Sequence, residues 1–126
     1  MNNELFQEIF NYLQDCIDYS WSRLIFFAGY TNNSYSMKCF IDLGDGSYKN
    51  LLNLQGTNIS RIMNQFVNID KAISKERNQL VGMDKWTALT MSVDSDGRMK
   101  SEFDYTDFSE NSVDYEMNWK KRYIDN

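Results

Sequence analysis

The chain has 126 residues, a length that suits one domain (1–126), and folding at that size buries about two-thirds of the surface of the unfolded chain. Hydrophobic residues make up 42% and aromatics 15%, which excludes intrinsic disorder, and no apolar run approaches the roughly 20 residues of a membrane span. Histidine is absent, which removes the commonest general base and metal ligand, and a pI near 4.6 opposes binding to nucleic acid.

The opening MNNELFQEIF has no basic stretch ahead of an apolar one, so it is expected to be mature structure and not a secretory signal. Leu5, Phe6, Ile9, Phe10, Leu13, Cys16 and Ile17 recur at helical spacing, with Glu4, Gln7, Glu8, Asn11, Gln14 and Asp15 opposite. This predicts a first helix capped by Asn2 or Asn3. Trp21 to Tyr30 is rich in aromatic and branched residues and has no helical stripe, so it reads as a strand. TNNS at 31–34 is turn chemistry. Tyr35, Met37, Cys39 and Ile41 then alternate with Ser36, Lys38 and Asp42, and only Phe40 interrupts the polar face. GDG at 44–46 turns again before a short strand around 47–51. The two cysteines, Cys16 and Cys39, both fall at apolar positions and are expected to be buried thiols of a reducing cytosol.

Thr57 or Asn58 should cap a second helix marked by Ile59, Ile62, Met63, Phe66, Ile69, Ile73 and Leu80. Trp86 to Val93 and Met99 to Tyr105 are predicted as a hairpin about the turn DSDG at 94–97. Leu89, Met91 and Val93 form one face and Met99, Phe103 and Tyr105 another. Tyr115, Trp119 and Tyr123, four apart, would lay an aromatic stripe of a final helix on the core. The expected class is α+β, with an antiparallel sheet packed against the first helix and the second long one.

The charge is unevenly distributed. The net value is −5, yet residues 101–118 alone carry Glu102, Asp104, Asp107, Glu110, Asp114 and Glu116 with no basic residue, so the rest of the chain sums to +1. Such a stretch is either a solvated strand end and loop or a recognition surface, because aromatics threaded among charges suit an interface. Catalysis finds little support. The pair Glu102/Asp104 would need a pocket that shifts one pKa, DSDG lacks the further ligands of a calcium loop, and no phosphate-cradling glycine pattern exists. No enzyme activity, cofactor or metal is expected. The single basic run, Lys120 to Arg122, sits beside the acidic segment and makes a poor phosphate site.

The run KWTALTMSVDSDGRMKSEFDYTDFSE resembles the YezG-like family of antitoxin or immunity proteins. The matching features are Trp86-Thr87-Ala88-Leu89, Asp96-Gly97, Lys100 with Phe103-Asp104-Tyr105, Asp107, and Trp119-Lys120 with Tyr123. IDYSWSRLIFFAGYT resembles the family's N-terminal segment, with Trp21 at its tryptophan. The likeness covers about 3–42 and 85–124. The helix from Ile59 departs from it, being neither acidic nor tryptophan-bearing. The resemblance implies a cytoplasmic immunity protein that neutralises a secreted toxin, typically a nuclease, by tight protein binding. Such toxins belong to type VII secretion or contact-dependent inhibition systems. A basic nuclease surface would then meet Glu102, Asp104, Tyr105, Asp107, Phe108 and Glu110, and reversing Asp104 and Asp107 would weaken binding with the fold intact. A protein-interaction adaptor without a toxin partner and a small carboxylate hydrolase are the other readings. No contact with nucleic acid or membrane is expected.

Overall fold

The structure, a computed structural model, describes residues 3–18, 20–32 and 34–125. In chain order these form α1 (Asn3–Asp15), β1 (Arg23–Tyr30), β2 (Tyr35–Asp42), β3 (Tyr48–Asn50), α2 (Ile59–Arg77), β4 (Ala88–Asp94), β5 (Met99–Asp104) and α3 (Ser112–Tyr123). Single 3₁₀ turns follow β3 at Leu51–Asn53 and precede β4 at Gly82–Asp84. The five strands make one antiparallel sheet in the order β3-β2-β1-β4-β5, an α+β architecture.

β1 explains its own composition. It is the middle strand, and every residue from Leu24 to Tyr30 is buried because helices cover the sheet on both sides. Leu24, Phe26 and Ala28 face α1 and α2, while Ile25 and Phe27 face the opposite way. A strand buried on both faces loses the polar alternation that β2 retains over its first half. Phe40, the residue that interrupts the polar face of β2, belongs to the second cluster beneath Trp119.

The first face carries the larger core. α1 buries Leu5, Ile9, Phe10 and Leu13, and half-buried Phe6 sits 6.1 Å from Phe103 of β5, ring to ring. The helix ends at Asp15, so Cys16 and Ile17 lie in the turn beyond it. Of the two caps considered, Asn2 lies outside the described residues and Asn3 is the first helical residue. α2 packs beside α1 through Ile62, Phe66, Ile69 and Ile73. Its cap is Asn58, whose side chain accepts from the Arg61 N–H at 3.1 Å. Ile59 and Met63, expected on the buried stripe, lie outward at 55% and 47% exposure. The turn of the helix that faces the sheet is set by the Ile62/Phe66/Ile69/Ile73 row, and Ile59 and Met63 fall to one side of it. Leu80, expected within α2, lies past its end and packs against the core.

Three boundaries also shift. Trp21 and Trp86 precede their strands, and Tyr105 lies one residue past β5. Trp86 is fully buried at the strand's mouth, with Arg77 Nε donating to its carbonyl at 2.8 Å. The hairpin register pairs Leu89 with Phe103, Met91 with Ser101 and Val93 with Met99, so these side chains share one face and do not form two. DSDG closes as a turn. Asp94 Oδ1 accepts from the N–H groups of Asp96 and Arg98 at 3.0 Å each, and Gly97 takes φ 86°. In the TNNS turn, the Thr31 N–H donates to the Ser34 carbonyl at 2.9 Å, while Asn33 lies outside the described residues. Both cysteines are free and buried, and burial pushes the Cys16 thiol up to about 11 and Cys39 higher still.

Candidate functional site

The acidic segment is not a single open patch, because it wraps around one edge of the molecule. It begins on β5, crosses the loop 105–111 and ends in the first half of α3, which lies on the second face of the sheet. The aromatic stripe of α3 sets this arrangement. Trp119 packs on Phe27 (4.9 Å between ring centroids) and Phe40 (5.9 Å), and its indole Nε1 donates to the buried Thr90 hydroxyl at 2.8 Å. Tyr115 stacks on Phe108 at 4.1 Å with the rings 10° from parallel. Gly29 leaves room for that stack, since a Cβ there would lie 2.8 Å from the Phe27 ring and 3.2 Å from Phe108.

Three of the six carboxylates hold α3 in place. Glu102 accepts from the Tyr123 hydroxyl and pairs with Arg122 at 3.5 Å. Asp104 accepts from the Tyr115 hydroxyl and from the N–H and hydroxyl of Thr106 at 3.0 and 2.9 Å. Glu116 reaches back across the sheet to Lys38 at 3.2 Å and to the Ser36 hydroxyl at 3.0 Å. Asp107 stays exposed and caps the Ser109 N–H at 3.0 Å. Glu110 and Asp114 are exposed and form no ion pair or side-chain hydrogen bond among the described residues.

Of the six residues expected to make the contact, Tyr105, Asp107 and Glu110 lie exposed on the loop 105–111. Phe108 is corrected: at 3% exposure it is a core residue under α3. Glu102 is exposed and Asp104 half-buried, and oxygens of both tie β5 to α3. A reversal at Asp104 would remove the acceptor shared by the Tyr115 hydroxyl and Thr106, so it is expected to loosen the seat of α3 as well as change the surface charge. The residues that sequence reasoning passed over are Asp114, Val113 and Met117, the last two 70% and 54% exposed. Their signal was present, for they sit on the side of α3 opposite the Tyr115/Trp119/Tyr123 stripe.

A cavity of about 410 Å³ lies between β5 and α3, lined by Thr90, Glu102, Asp104, Tyr115, Trp119 and Tyr123. Its chemistry is that of a tether. Burial acts to raise the pKa of Asp104, but hydrogen bonds from Tyr115 and Thr106 outweigh it and hold the carboxyl below the ordinary value. Asp104 is thus ionised near neutrality and offers no proton. Burial and the same carboxylate push the Tyr115 hydroxyl upward, so that it stays protonated. Among the described residues no group of three Cys, Asp or Glu side chains is placed to share a metal ion.

The Asp104 tether predicts an acid dependence of stability. A carboxyl depressed in the folded state contributes stability fully present above its unfolded pKa, about 4, and lost as pH falls through the folded value. Urea midpoints measured between neutrality and pH 2.5 should fall more steeply for the parent than for Asp104→Asn, which cannot titrate there. Parallel curves for the two proteins would remove Asp104 from the acid response.

The small α+β scaffold thus has a cavity whose polar lining groups tether α3 to β5, and an outer loop and helix whose Glu110 and Asp114 lack ion-pair partners among the described residues. The chain belongs to the family of YezG-like immunity proteins, whose sequence model matches residues 2–126. That match includes the α2 segment, which the resemblance at the two ends did not cover. An immunity protein implies a toxin that it counteracts. Among curated proteins no relative matches the chain. No helix of the described residues is long and apolar enough to cross a membrane.

Proposed function

We propose that the whole chain, 1–126, acts as one immunity domain that neutralises a cognate secreted toxin in the cytoplasm by tight binding and without catalysis. The toxin is a nuclease domain, delivered by a type VII or contact-dependent inhibition system, and its basic substrate-binding surface faces the acidic loop and the outer side of α3. One observation carries this reading. Asp107, Glu110 and Asp114 project into solvent beside exposed Tyr105, Val113 and Met117, while the other three carboxylates are engaged within the fold. Carboxylates interleaved with apolar side chains supply both steering and dry contact area to a cationic partner.

The test is co-expression with the C-terminal domain of the toxin encoded beside this gene. The two chains should co-purify, and cells producing both should grow where cells producing the toxin domain alone do not. Separate elution together with undiminished toxicity would refute the proposal. DNA and RNA cleavage assays on the freed toxin domain test the nuclease assignment.

A further inference from the structure

α3 covers only the half of the second sheet face that carries Phe27 and Gly29. Beyond its last turn the face opens into a groove of about 580 Å³ bounded by β1, β4, β5 and the end of α3. Arg23, Arg98, Lys100 and Arg122 line it, with Asp94 and Glu102 the acids between them. Both acids are already engaged, Asp94 by the turn N–H groups of Asp96 and Arg98 and Glu102 by Arg122 and Tyr123. Among the described residues, the side chains of Arg23, Arg98 and Lys100 enter no ion pair or hydrogen bond. In a chain of net charge −5, the groove therefore gathers four cations against two acids, a local excess of positive charge. Ile25 and the rings of Tyr48 and Tyr123 give that groove an apolar lining.

We propose that this groove docks an extended, carboxylate-bearing segment of a protein partner. Three features select that occupant. The cations come from four places, β1, the 94–98 turn, β5 and the end of α3, so a ligand that meets them all must run across the sheet face. An extended chain presents same-side residues about 7 Å apart, a spacing suited to a row of separate cations. β5, which borders the groove, is also an edge strand, the position at which an extended segment can continue into backbone pairing. A nucleic acid fits less well, because its phosphates follow one another along the whole strand. The groove is separate from the acidic surface and opposite in sign, and its occupancy does not depend on the toxin assignment.

The probe is a short, capped oligoglutamate peptide titrated into the isotope-labelled full chain and followed by amide NMR shifts. Inorganic phosphate and a single-stranded oligothymidylate serve as parallel titrants. The peptide should shift amides at the start of β1, in the 94–98 turn and along β5, with an affinity that falls as salt is added. Arg23→Glu, Arg98→Glu, Lys100→Glu should weaken it about tenfold or more, from the loss of three exposed ion pairs. Should that triple variant lose its folded spectrum, Arg98→Gln, Lys100→Gln replaces it, with a smaller loss expected. Absence of these shifts at millimolar peptide, or unchanged affinity in the folded variant, overturns the proposal. Equal or stronger shifts with oligothymidylate would reassign the groove to nucleic acid, and equal shifts with phosphate would reduce it to a general anion site.

Discussion

Reversing the two unengaged acids, Glu110→Lys with Asp114→Lys, should produce the largest loss of toxin binding available without loss of the fold. Both side chains are exposed, and neither forms an ion pair or side-chain hydrogen bond among the described residues, so no internal contact is broken. Asp114 lies in the first turn of α3, where a lysine opposes the helix dipole at about 0.3–1 kcal/mol, a tolerable cost. The effect on binding depends on where the acids sit in the complex. A central, desolvated charge whose partner is left unpaired costs about 2–5 kcal/mol, or roughly thirty-fold and upward in affinity. A rim charge instead slows association, mostly at low salt, before screening shortens to about 8 Å at physiological ionic strength. Surface plasmon resonance across a salt series, with circular dichroism as the fold control, separates the two cases. If the folded variant binds and protects like the parent at every salt concentration, the acidic surface is not the contact.

Trp119→Ala should be the most destabilising single change on the second face of the sheet. The indole is 6% exposed, lies within 6 Å of the Phe27, Phe40 and Tyr123 rings, and donates to Thr90 at 2.8 Å. Truncating a buried tryptophan costs about 3–5 kcal/mol, a large part of a total stability of about 5–15 kcal/mol. A drop of the melting midpoint by about 10 °C or more is expected. Trp119→Phe separates packing from the hydrogen bond, since it keeps most of the ring area but removes the donor to the Thr90 hydroxyl, at about 0.5–1.5 kcal/mol. Because α3 carries Val113, Asp114 and Met117, the alanine variant should also bind toxin poorly, and the loss should be recovered at low temperature where α3 is reseated. A midpoint within about 2 °C of the parent would show that α3 is not anchored through this residue.

The residues tell different stories about how much a sequence holds. Periodicity alone determined α1, because Leu5, Ile9, Phe10 and Leu13 must find one apolar surface, and they do. It also determined β2, the DSDG hairpin and the aromatic stripe of the last helix, each a pattern carried by one short stretch of the chain. In α2 the same reasoning recognised the helix but placed Ile59 and Met63 inside, because a broad apolar band does not say which of its edges meets the sheet.

Only the tertiary structure decided the order β3-β2-β1-β4-β5, since β4 reaches β1 after α2 has crossed the sheet, a pairing with no local signature. It alone decided that β1 is buried on both faces. It also sorted six carboxylates that look alike in sequence. Glu102 meets Tyr123, Asp104 meets Tyr115 and Glu116 meets Lys38, across separations of 21, 11 and 78 residues, while Glu110 and Asp114 meet water. Phe108 went inside for the same reason, as α3 folded over it. A side chain's charge is a property of its residue, but its freedom to bind depends on which distant element packs against it. That information lies in long-range contacts, which a residue and its near neighbours do not encode.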